Sequence, residues 1–409
     1  MLSKPITLCR LCGSSDIEQI LDLGSQPPAN SLRAKLEQSL DSIPLVICRC
    51  QKCTTIQLTE TVSPEYLFRD YVWVTGTSQT AQVYSQKFFE NIIQRCNHKK
   101  LFILEVASND GTFLQRFHEH GHRVLGVDPA QNLARAAEKA GIPTLPEFFD
   151  LEVACRVTQA HGHADAVIAR NVLPHVPDPN GVVAGIAQCL KDDGVGAIEF
   201  HWIDKILSEL HYDSIYHEHF FYHSLHSIAQ LLERHSLTLF DVSDSPISGG
   251  SLVAYFSKTP REATAALVEK LDWEESRGLA SLATWREFAT RSLEHRLQLK
   301  ALVETEIKAG KKLIGYGASA RSSTLLNFCG IDHHHLACIA DQSPLKHNHY
   351  TPGTDVLIVS PEIALMEHPD TILLLAWNFK DEILQRLADI GFHGNVIIPL
   401  PGKPKFLQV

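Results

Sequence analysis

The sequence has no cluster of basic residues and no long apolar segment. Its 409 residues include 37 Lys and Arg against 47 Asp and Glu, and the formal net charge is -10. Nucleic acid is therefore not an expected partner, because neutralising phosphates requires clustered basic side chains. No apolar run reaches the ~20 residues of a membrane span, so no membrane segment is expected either.

The N-terminus, Met1-Leu2-Ser3-Lys4-Pro5, also lacks the apolar core of a secretory signal. Ten cysteines without such a signal favour a reducing, cytoplasmic location, where metal ligation is more common than disulfide formation. Hydrophobic content is 44% and charged content 21%, which is ordinary for a globular protein. A chain of this length should form two or three domains.

Two Cys-x-x-Cys pairs stand near the N-terminus. They are Cys9 with Cys12 and Cys50 with Cys53, and each pair can hold one face of a tetrahedral zinc ion. Four protein ligands leave no open position for water, so the predicted site is structural. Cys48 is another possible zinc ligand, but Cys50 and Cys53 have the better spacing. The alternative to a zinc site is that the four cysteines are free thiols. Zinc would supply folding free energy to a segment too small for its own core.

The segment FILEVASNDG, residues 102–111, predicts a buried strand, a sharp turn and a helix that starts at Thr112. A second strand at 124–127 ends on Asp128, whose carboxylate is placed to accept hydrogen bonds from ribose hydroxyls. The turn has one glycine and two polar residues, whereas a dinucleotide site would have three glycines. A ligand without phosphates, S-adenosylmethionine, fits this turn better. The alternative is a tight turn in any α/β sheet.

Strands and helices alternate from residue 101 to about 255, as in a doubly wound parallel sheet. Strands are predicted at 101–107, 123–127, 165–169, 195–200 and 251–256, and a helix at 79–95 precedes them. Residues 261–310 have a helical composition and lead into a third domain. The predicted domains are residues 1–70, 71–295 and 296–409, with the first boundary near Asp70.

The third domain opens on another strand, glycine turn and helix, with the turn at residues 315–319. Further strands are predicted at 336–340, 355–358, 371–376 and 395–398. Backbone N–H groups at a helix N-terminus favour phosphate, and Arg321 and Lys346 are candidates to pair with a pyrophosphate. His333, His334 and His335 lie beside the strand predicted at 336–340, and metal binding by these three residues is a weaker alternative.

Aromatic, acidic and imidazole residues are concentrated between Asp213 and Ser224. His219 beside Glu218, with Tyr216 nearby, supplies the groups of general-base chemistry at neutral pH. The alternatives are a polar surface helix or a metal site made by His217, His219 and His223. The loop 248–251 that follows is flexible enough to contact a ligand, and the strand at 165–169 delivers Arg170, Asn171 and His175 to the ligand-binding edge.

Taken together, these motifs resemble the sugar C-methyltransferases that act on nucleotide-linked 4-keto sugars, the mycarose-type 3-C-methyltransferases. The resemblance covers essentially the whole chain and rests on the following segments: Cys9/Cys12, Cys50/Cys53, Glu105–Gly111, Gly126–Ala130, Asn171–His175, Tyr216–His219, Gly317–Ala320, Asp341, Lys346, Pro352-Gly353 and Ala376–Asn378. The departures are Ala107 for a usual glycine, Trp73 for a frequent tyrosine, Arg321-Ser322-Ser323 for Lys-Gly-Asn and His347-Asn348-His349 for Gln-Gly-Arg.

The resemblance implies an α/β chain with a small N-terminal zinc domain, a central class I S-adenosylmethionine-dependent methyltransferase domain and a C-terminal Rossmann-like domain. The implied donor-binding residues are Glu105, Ala107, Asn109, Asp110, Gly111, Asp128, Pro129, Phe148 and Asn171. The implied substrate-binding residues are Tyr71, Ser251, Gly317, Ala318, Ser319, Arg321, Asp341, Lys346 and Asn378. The implied catalytic residues are His219 as base, Glu218 and Tyr216 as its partners, and His175 in proton handling.

The expected reaction is methylation of C3 of a nucleotide-linked 4-keto deoxysugar through an enolate. The expected assembly is a monomer or a weak homo-oligomer. Two alternatives stay open: methyl transfer to O or N of another small acceptor, and a non-catalytic interaction protein built on zinc knuckles. The Tyr216–His219 stretch argues against the second, because a scaffold does not need it.

Overall fold

A computed structural model describes residues 2–69, 71, 73–96 and 99–409. The predicted domain boundary near Asp70 lies outside these described residues. The N-terminal unit is small and rich in strands. Its elements are β1 Ser3–Pro5, β2 Ile17–Gln26, β3 Ile43–Cys50, β4 Ile56–Leu58, β5 Glu60–Val62 and α1 Pro64–Phe68. Strands β2, β3 and β4 pair antiparallel, and β1 pairs with β5.

The central unit is the predicted alternation of strands and helices. Its elements are α2 Gln79–Arg95, β6 Phe102–Val106, α3 Thr112–Glu119, β7 Arg123–Val127, α4 Gln131–Lys139, β8 Thr144–Leu145, α5 Leu151–His161, β9 Ala164–Arg170, α6 Pro179–Cys189, β10 Leu190–His201, α7 Ile203–Glu209, β11 Phe221–Tyr222, α8 Leu225–Glu233, β12 Thr238–Ser245 and β13 Ser251–Ser257. Seven strands form one sheet in the order β12-β13-β10-β9-β6-β7-β8. The carboxyl ends of its parallel strands therefore meet at one edge, where ligands bind in such folds.

The C-terminal unit is a second α/β sheet behind a long helix. Its elements are α9 Ala265–Ser276, α10 Leu282–Lys308, β14 Leu313–Tyr316, α11 Ala320–Cys329, β15 Ile339–Ala340, β16 Ile358–Val359, α12 Pro361–Met366, β17 Thr371–Leu374, α13 Lys380–Asp389, β18 Asn395–Ile398 and β19 Lys405–Gln408. The sheet order is β16-β15-β14-β17-β18-β19, and only β19 runs antiparallel to its neighbour. The α/β fold class expected from the sequence is confirmed.

Several elements differ from the sequence-based prediction. The helical segment 261–310 is two helices, because Gly278 adopts a left-handed φ of 59° just after α9. Helix α10 then runs without interruption across the predicted boundary between residues 295 and 296. The strand predicted at 355–358 is found at Ile358–Val359, and β12 and β19 were not predicted. All four residues of β19 are exposed, so that strand carries no hydrophobic alternation.

The buried strands β6, β9 and β10 form the centre of the middle unit, and their interior residues have almost no exposed surface. Serine capping boxes begin two of the helices. The Ser319 hydroxyl accepts from the Ser322 N–H and begins α11, while Ser224 and Ser227 form the same capping box at α8. Among the described residues, no helix combines the length and hydrophobicity that crossing a bilayer requires.

Candidate active site and zinc site

The four predicted cysteine ligands converge at one point of the N-terminal unit. Their sulfur atoms all lie within 4.8 Å of one another, with Sγ–Sγ distances of 3.6 Å for Cys9–Cys53 and for Cys12–Cys50. A disulfide bond would require an Sγ–Sγ distance of about 2.05 Å. A tetrahedron with Zn–S bonds of about 2.3 Å has edges of about 3.8 Å, so the thiols fit a closed zinc site.

Arg10, inside the first Cys-x-x-Cys pair, links the zinc site to the rest of the unit. Its guanidinium donates to the carbonyls of Leu58 at 2.6 Å and Glu60 at 2.8 Å. The same group lies 5.5 Å from the ring centre of Phe220 and 5.9 Å from that of Phe221. The zinc knuckle therefore contacts the segment that follows the candidate base.

That segment also joins the N-terminal sheet. Phe221 and Tyr222, which form β11, pair antiparallel with Gln57 and Ile56 of β4. The sheet order is thus β11-β4-β3-β2. Residues far apart in sequence therefore pair in one ladder, and the N-terminal sheet holds in place the segment that follows the candidate base.

The turn predicted to bind the methyl donor (the donor turn, residues 107–111) follows β6 in a conformation that few residues adopt. Ala107, Asn109 and Gly111 have φ values of 54°, 55° and 79°. Asp128 secures the turn, because its Oδ2 accepts from the Asn109 N–H at 2.7 Å and its Oδ1 from the Ala130 N–H at 2.8 Å. Burial raises the pKa of Asp128, and these two N–H groups oppose the shift.

Residues 73–77 lie across the donor turn. The Asn109 Oδ1 accepts from the Thr75 N–H at 2.9 Å, and its Nδ2 donates to the Trp73 carbonyl at 3.1 Å. The Asp110 Oδ2 accepts from the Gly76 N–H at 2.9 Å. Asn109 and Asp110 are therefore engaged with the backbone of residues 73–77, a role that the sequence did not indicate.

A buried charge network lies beneath the turn. Arg170 donates from Nε to Glu105 Oε1 at 3.1 Å and lies 3.6 Å from Glu199, both of which are buried. Burial raises the pKa of Glu105 to about 7, although Arg170 opposes the shift. Glu105 Oε2 has no hydrogen-bond partner among the described residues. An orphaned carboxylate oxygen beside the turn fits a ligand that carries a cationic group.

The remaining predicted donor residues lie around the same edge. Asn171, with a φ of 51°, donates from Nδ2 to Glu199 Oε2 at 3.2 Å. Pro129 is half-buried beside Asp128, and Phe148 is half-buried with the Arg69 guanidinium 4.8 Å from its ring centre. The structure thus brings the predicted donor residues to the carboxyl edge of β6, β7 and β9.

The candidate base makes hydrogen bonds through both ring nitrogens. His219 Nδ1 donates to the Ser214 carbonyl at 3.1 Å, which leaves Nε2 to accept from the Tyr216 hydroxyl at 2.8 Å. Burial, followed by the electrostatic influence of His175, His201 and the Arg321 guanidinium, holds the pKa of His219 well below its ordinary value. His219 is therefore neutral at physiological pH and able to accept a proton.

His175 packs against the base. Its ring centre is 4.7 Å from that of His219, and its Nδ1 donates to the Glu218 carbonyl at 2.7 Å. Burial lowers the pKa of His175 to about 4. Both imidazoles are consequently neutral acceptors near neutral pH.

Glu218 completes this cluster from the opposite side. Its Oε1 accepts from the Asn30 amide at 2.7 Å, and the Tyr71 phenol also interacts with its carboxyl group. Burial raises the pKa of Glu218 to about 7, while Asn30 and Tyr71 oppose the shift. Asn30 belongs to the N-terminal unit and was not predicted, because a lone amide in a loop carries no sequence signal for catalysis.

The alternative metal site at His217, His219 and His223 is not formed. His217 Nε2 donates to the Ile43 carbonyl at 3.1 Å, and His223 Nδ1 lies 3.4 Å from the Ser227 hydroxyl. Within the described ranges, candidate ligand atoms gather only at the four cysteines and at Asp332, His333 and His334 on the surface.

The glycine turn, residues 315–319, has its own carboxylate. Asp341 Oδ2 accepts from the Ala318 N–H at 2.7 Å, and Oδ1 from the Ser343 N–H at 2.9 Å. Lys346 donates from Nζ to the Ala318 carbonyl at 2.7 Å and lies 3.4 Å from Asp341. Gly317 has a φ of 99°, a conformation that favours glycine.

A cleft opens between this turn and the N-terminal unit. Ala318, Ser319 and Lys346 line one wall, and Ala29 and Asn30 line the other. The Asn30 amide also donates to Glu218, so this wall of the cleft contacts the cluster that contains the candidate base. Ala318 and Ser319, two of the predicted substrate residues of the turn, therefore face a cleft whose other wall includes the hydrogen-bond partner of Glu218.

Four predicted substrate residues lie elsewhere or have other partners. Arg321 donates from Nε and Nη2 to Asp213 at 3.1 and 2.8 Å. The Ser251 hydroxyl donates to the Ile247 carbonyl at 2.9 Å, and Asn378 is exposed. The Tyr71 backbone is held by Asn132, and burial and the charge of Glu218 raise the pKa of its phenol.

Three family models match successive parts of the chain. A zinc-binding domain matches residues 9–68, a methyltransferase domain residues 82–242 and a C-methyltransferase C-terminal domain residues 246–401. The C-methyltransferase NovU of Streptomyces niveus is 34% identical over 404 residues, which cover 97% of this chain and 96% of NovU.

Two more distant similarities involve only part of the chain. The ubiquinone biosynthesis O-methyltransferase of Bordetella avium (strain 197N) is 30% identical over 94 residues, 22% of this chain and 39% of that protein. The magnesium protoporphyrin IX methyltransferase from Synechocystis PCC 6803, solved with bound SAM, is 13% identical with a TM-score of 0.34. It covers 44% of this chain and 79% of that one.

Proposed function

This chain belongs to the C-methyltransferase family, and from that membership we propose that it methylates C3 of a nucleotide-linked 4-keto deoxysugar, with His219 as the base. Full-length similarity to a C-methyltransferase and the matched domains make it an S-adenosylmethionine-dependent enzyme with a zinc-binding N-terminal domain. The single observation that carries the choice of base is the hydrogen bond of 2.8 Å between Tyr216 and His219 Nε2.

The tautomer of His219 supports proton abstraction. With Nδ1–H held by the Ser214 carbonyl, the lone pair of Nε2 is available to the C3 proton once Tyr216 turns toward the substrate. The C3–H electron pair then moves into the C3–C4 bond, and negative charge develops on the C4 oxygen. The Tyr216 hydroxyl is a suitable donor to that oxygen, because burial and the charge of Glu218 keep its pKa above the ordinary value.

Glu218 and His175 orient these groups in the proposed mechanism. The Glu218 backbone carbonyl fixes the His175 ring, and the Glu218 carboxyl, with a pKa of about 7, exchanges protons near neutral pH. His175, which packs against His219, shares in proton handling at the C4 oxygen. S-Adenosylmethionine supplies an electrophilic methyl group when bound, and the enolate carbon is its nucleophile.

The donor site is proposed at the edge formed by the donor turn, Asp128 and Glu105. The unpartnered Glu105 Oε2 suits the α-ammonium group of the donor, and Asp128 retains lone pairs for ribose hydroxyls. The cleft beside the glycine turn is the proposed entry for the sugar nucleotide, with Lys346 near its phosphates. Two binding regions on either side of His219 would hold both reactants together.

The proposal is tested by incubating the enzyme with a methyl-labelled donor and a panel of nucleotide 4-keto sugars, with products read by mass spectrometry. We expect label on carbon for at least one 4-keto substrate and none for the matched 4-hydroxy sugar, which cannot form an enolate. Label on oxygen or nitrogen would favour the alternative methyltransferase. Titration with S-adenosylhomocysteine that released no heat would favour the non-catalytic interaction protein.

A further inference from the structure

Asp213 is a buried carboxylate that two side chains of the C-terminal unit hold directly. It is 1% exposed. Arg321 donates to it from Nε at 3.1 Å and from Nη2 at 2.8 Å, and the Trp377 indole donates to its Oδ2 at 2.8 Å. The Arg321 guanidinium also lies 4.7 Å from the centre of the Trp377 ring. The side chain of Arg321 is therefore committed to this contact.

The residue after Asp213 sets the orientation of His219. Asp213 and Ser214 belong to a short 3-10 turn, Tyr212–Ser214, and the Ser214 carbonyl is the acceptor of the His219 Nδ1–H. A second contact holds the same backbone, because the buried Thr324 hydroxyl donates to the Ile215 carbonyl at 2.8 Å. Arg321 and Thr324 both lie on α11, the helix that begins directly after the glycine turn.

We propose that Arg321 and Asp213 are positioning residues for His219, through which the helix of the glycine turn fixes the tautomer and place of the base. This inference rests on the proposed function, since it assumes that His219 is the base. It assigns to Arg321 a task different from the pyrophosphate contact that the sequence suggested. The C-terminal unit would thus act on proton abstraction as well as on substrate binding.

The charges around His219 give the proposal an electrostatic readout. The titratable groups that contact His219 or act on its charge are His175, His201, Arg321, Tyr216 and Tyr222. Glu218 and Asp213 act on its partner Tyr216. The Arg321 guanidinium is one of the groups that hold the pKa of His219 down. Removing that cation should raise the pKa, whereas removing the charge of Asp213 should lower it.

The test compares Arg321→Gln, Arg321→Lys and Asp213→Asn in the full chain, with Arg296→Gln as a matched control. Arg296 also lies over a ring, 5.1 Å from the centre of Phe328, but is exposed on α10. A misplaced base costs about 10²-fold, so kcat of Arg321→Gln should fall by that order with KM for the sugar nucleotide unchanged. Arg321→Lys should recover part of the loss, and the control should match wild type.

The pH–rate profile separates positioning from general destabilisation. Its acid limb should move to higher pH in Arg321→Gln and to lower pH in Asp213→Asn. A raised KM with kcat intact would instead make Arg321 a phosphate ligand and overturn the proposal. Lowered thermal stability with an unmoved profile and an intact kcat would overturn it as well.

Nitrogen NMR of histidine-labelled protein with S-adenosylhomocysteine needs no sugar substrate, so it remains informative if the proposed reaction is wrong. The His219 signals, assigned by difference from His219→Asn, should show Nδ1 protonated in wild type and a mixture of tautomers in Arg321→Lys. That mild variant keeps the charge and the fold, so failure of Asp213→Asn to fold does not affect the outcome. An unchanged single tautomer in both arginine variants would contradict the inference.

Discussion

The donor turn of the central sheet and the glycine turn of the C-terminal sheet are each held by an aspartate in the same way. In each, the aspartate at the end of the next strand accepts one N–H from the turn at 2.7 Å and one N–H two residues further along its own chain. The pairs are Asp128 with Asn109 and Ala130, and Asp341 with Ala318 and Ser343. An acid at this place therefore stabilises the turn before any ligand arrives.

The two turns differ in their surroundings. Residues 73–77 lie across the donor turn, while the glycine turn opens to a cleft and contacts Lys346. The strand before the donor turn carries the buried Glu105, and the strand before the glycine turn, Leu313–Tyr316, carries no carboxylate. A shared turn geometry thus serves two sites of different polarity, and the following predictions probe that difference.

The largest expected effect is that of Gly317→Ala. An added Cβ would lie 2.4 Å from Ala376 Cβ and 2.9 Å from its backbone nitrogen, at a φ of 99°. Strain and overpacking together should lower the free energy of unfolding by about 2–5 kcal/mol. Urea denaturation measures this, with Gly310→Ala as control, because Gly310 has a φ of 76° but open space. Equal losses would mean that the close approach to Ala376 is unimportant.

Glu105→Gln should change how stability depends on pH. The pKa of Glu105 is raised to about 7 in the fold, against about 4.3 in an unfolded chain. Between these values the native protein binds more protons, so wild-type stability falls as pH rises through this window. Glutamine does not titrate, so the variant does not lose this stability. Its free energy of unfolding should rise relative to that of wild type by roughly 2–4 kcal/mol between about pH 5 and 8. A constant difference across this range would contradict the assigned pKa.

Asp128→Ala and Asp341→Ala should have opposite binding defects. Removing the carboxylate leaves the N–H groups of one turn without their acceptor, which costs about 1–3 kcal/mol. Calorimetry should show weaker S-adenosylhomocysteine binding only in the first variant and weaker nucleoside diphosphate binding only in the second. Each variant is the control for the other. Loss of both ligands in either variant would mean that the turns are not independent.

The smallest effect is expected for Ala107→Gly. Ala107 has a left-handed φ of 54°, which costs a residue with a Cβ about 1–2 kcal/mol, part of which the greater unfolded-state entropy of glycine offsets. The net gain in stability should be about 0.5–1 kcal/mol in urea denaturation. A loss of stability would show that the alanine methyl makes packing contacts that outweigh the strain.

Local patterns in the sequence were sufficient to predict most of the architecture. Buried runs such as residues 102–106 and the two Cys-x-x-Cys pairs have strong short-range signals, and the fold class and zinc-binding domain followed from them. The edge strand at Lys405–Gln408 was missed because exposed residues show no alternation. The break after α9 depends on one glycine within a segment of helical composition.

The candidate site was only partly predictable, because its partners come from distant parts of the chain. Tyr216, Glu218 and His219 are neighbours in sequence, so their cluster was visible. Asn30 reaches Glu218 across 188 residues, and Arg321 reaches Asp213 across 108. Such pairs depend on tertiary packing, which no local motif encodes.

The most direct test of the mechanism is solvent exchange at C3 of a nucleotide 4-keto sugar in deuterated water without methyl donor. General-base catalysis contributes about 10²–10⁴-fold, so wild-type protein should incorporate deuterium at C3 faster than His219→Asn by that order. Both proteins should bind the sugar nucleotide equally. Exchange in the variant at the wild-type rate would show that His219 is not the base, and His175 would then be the residue to test.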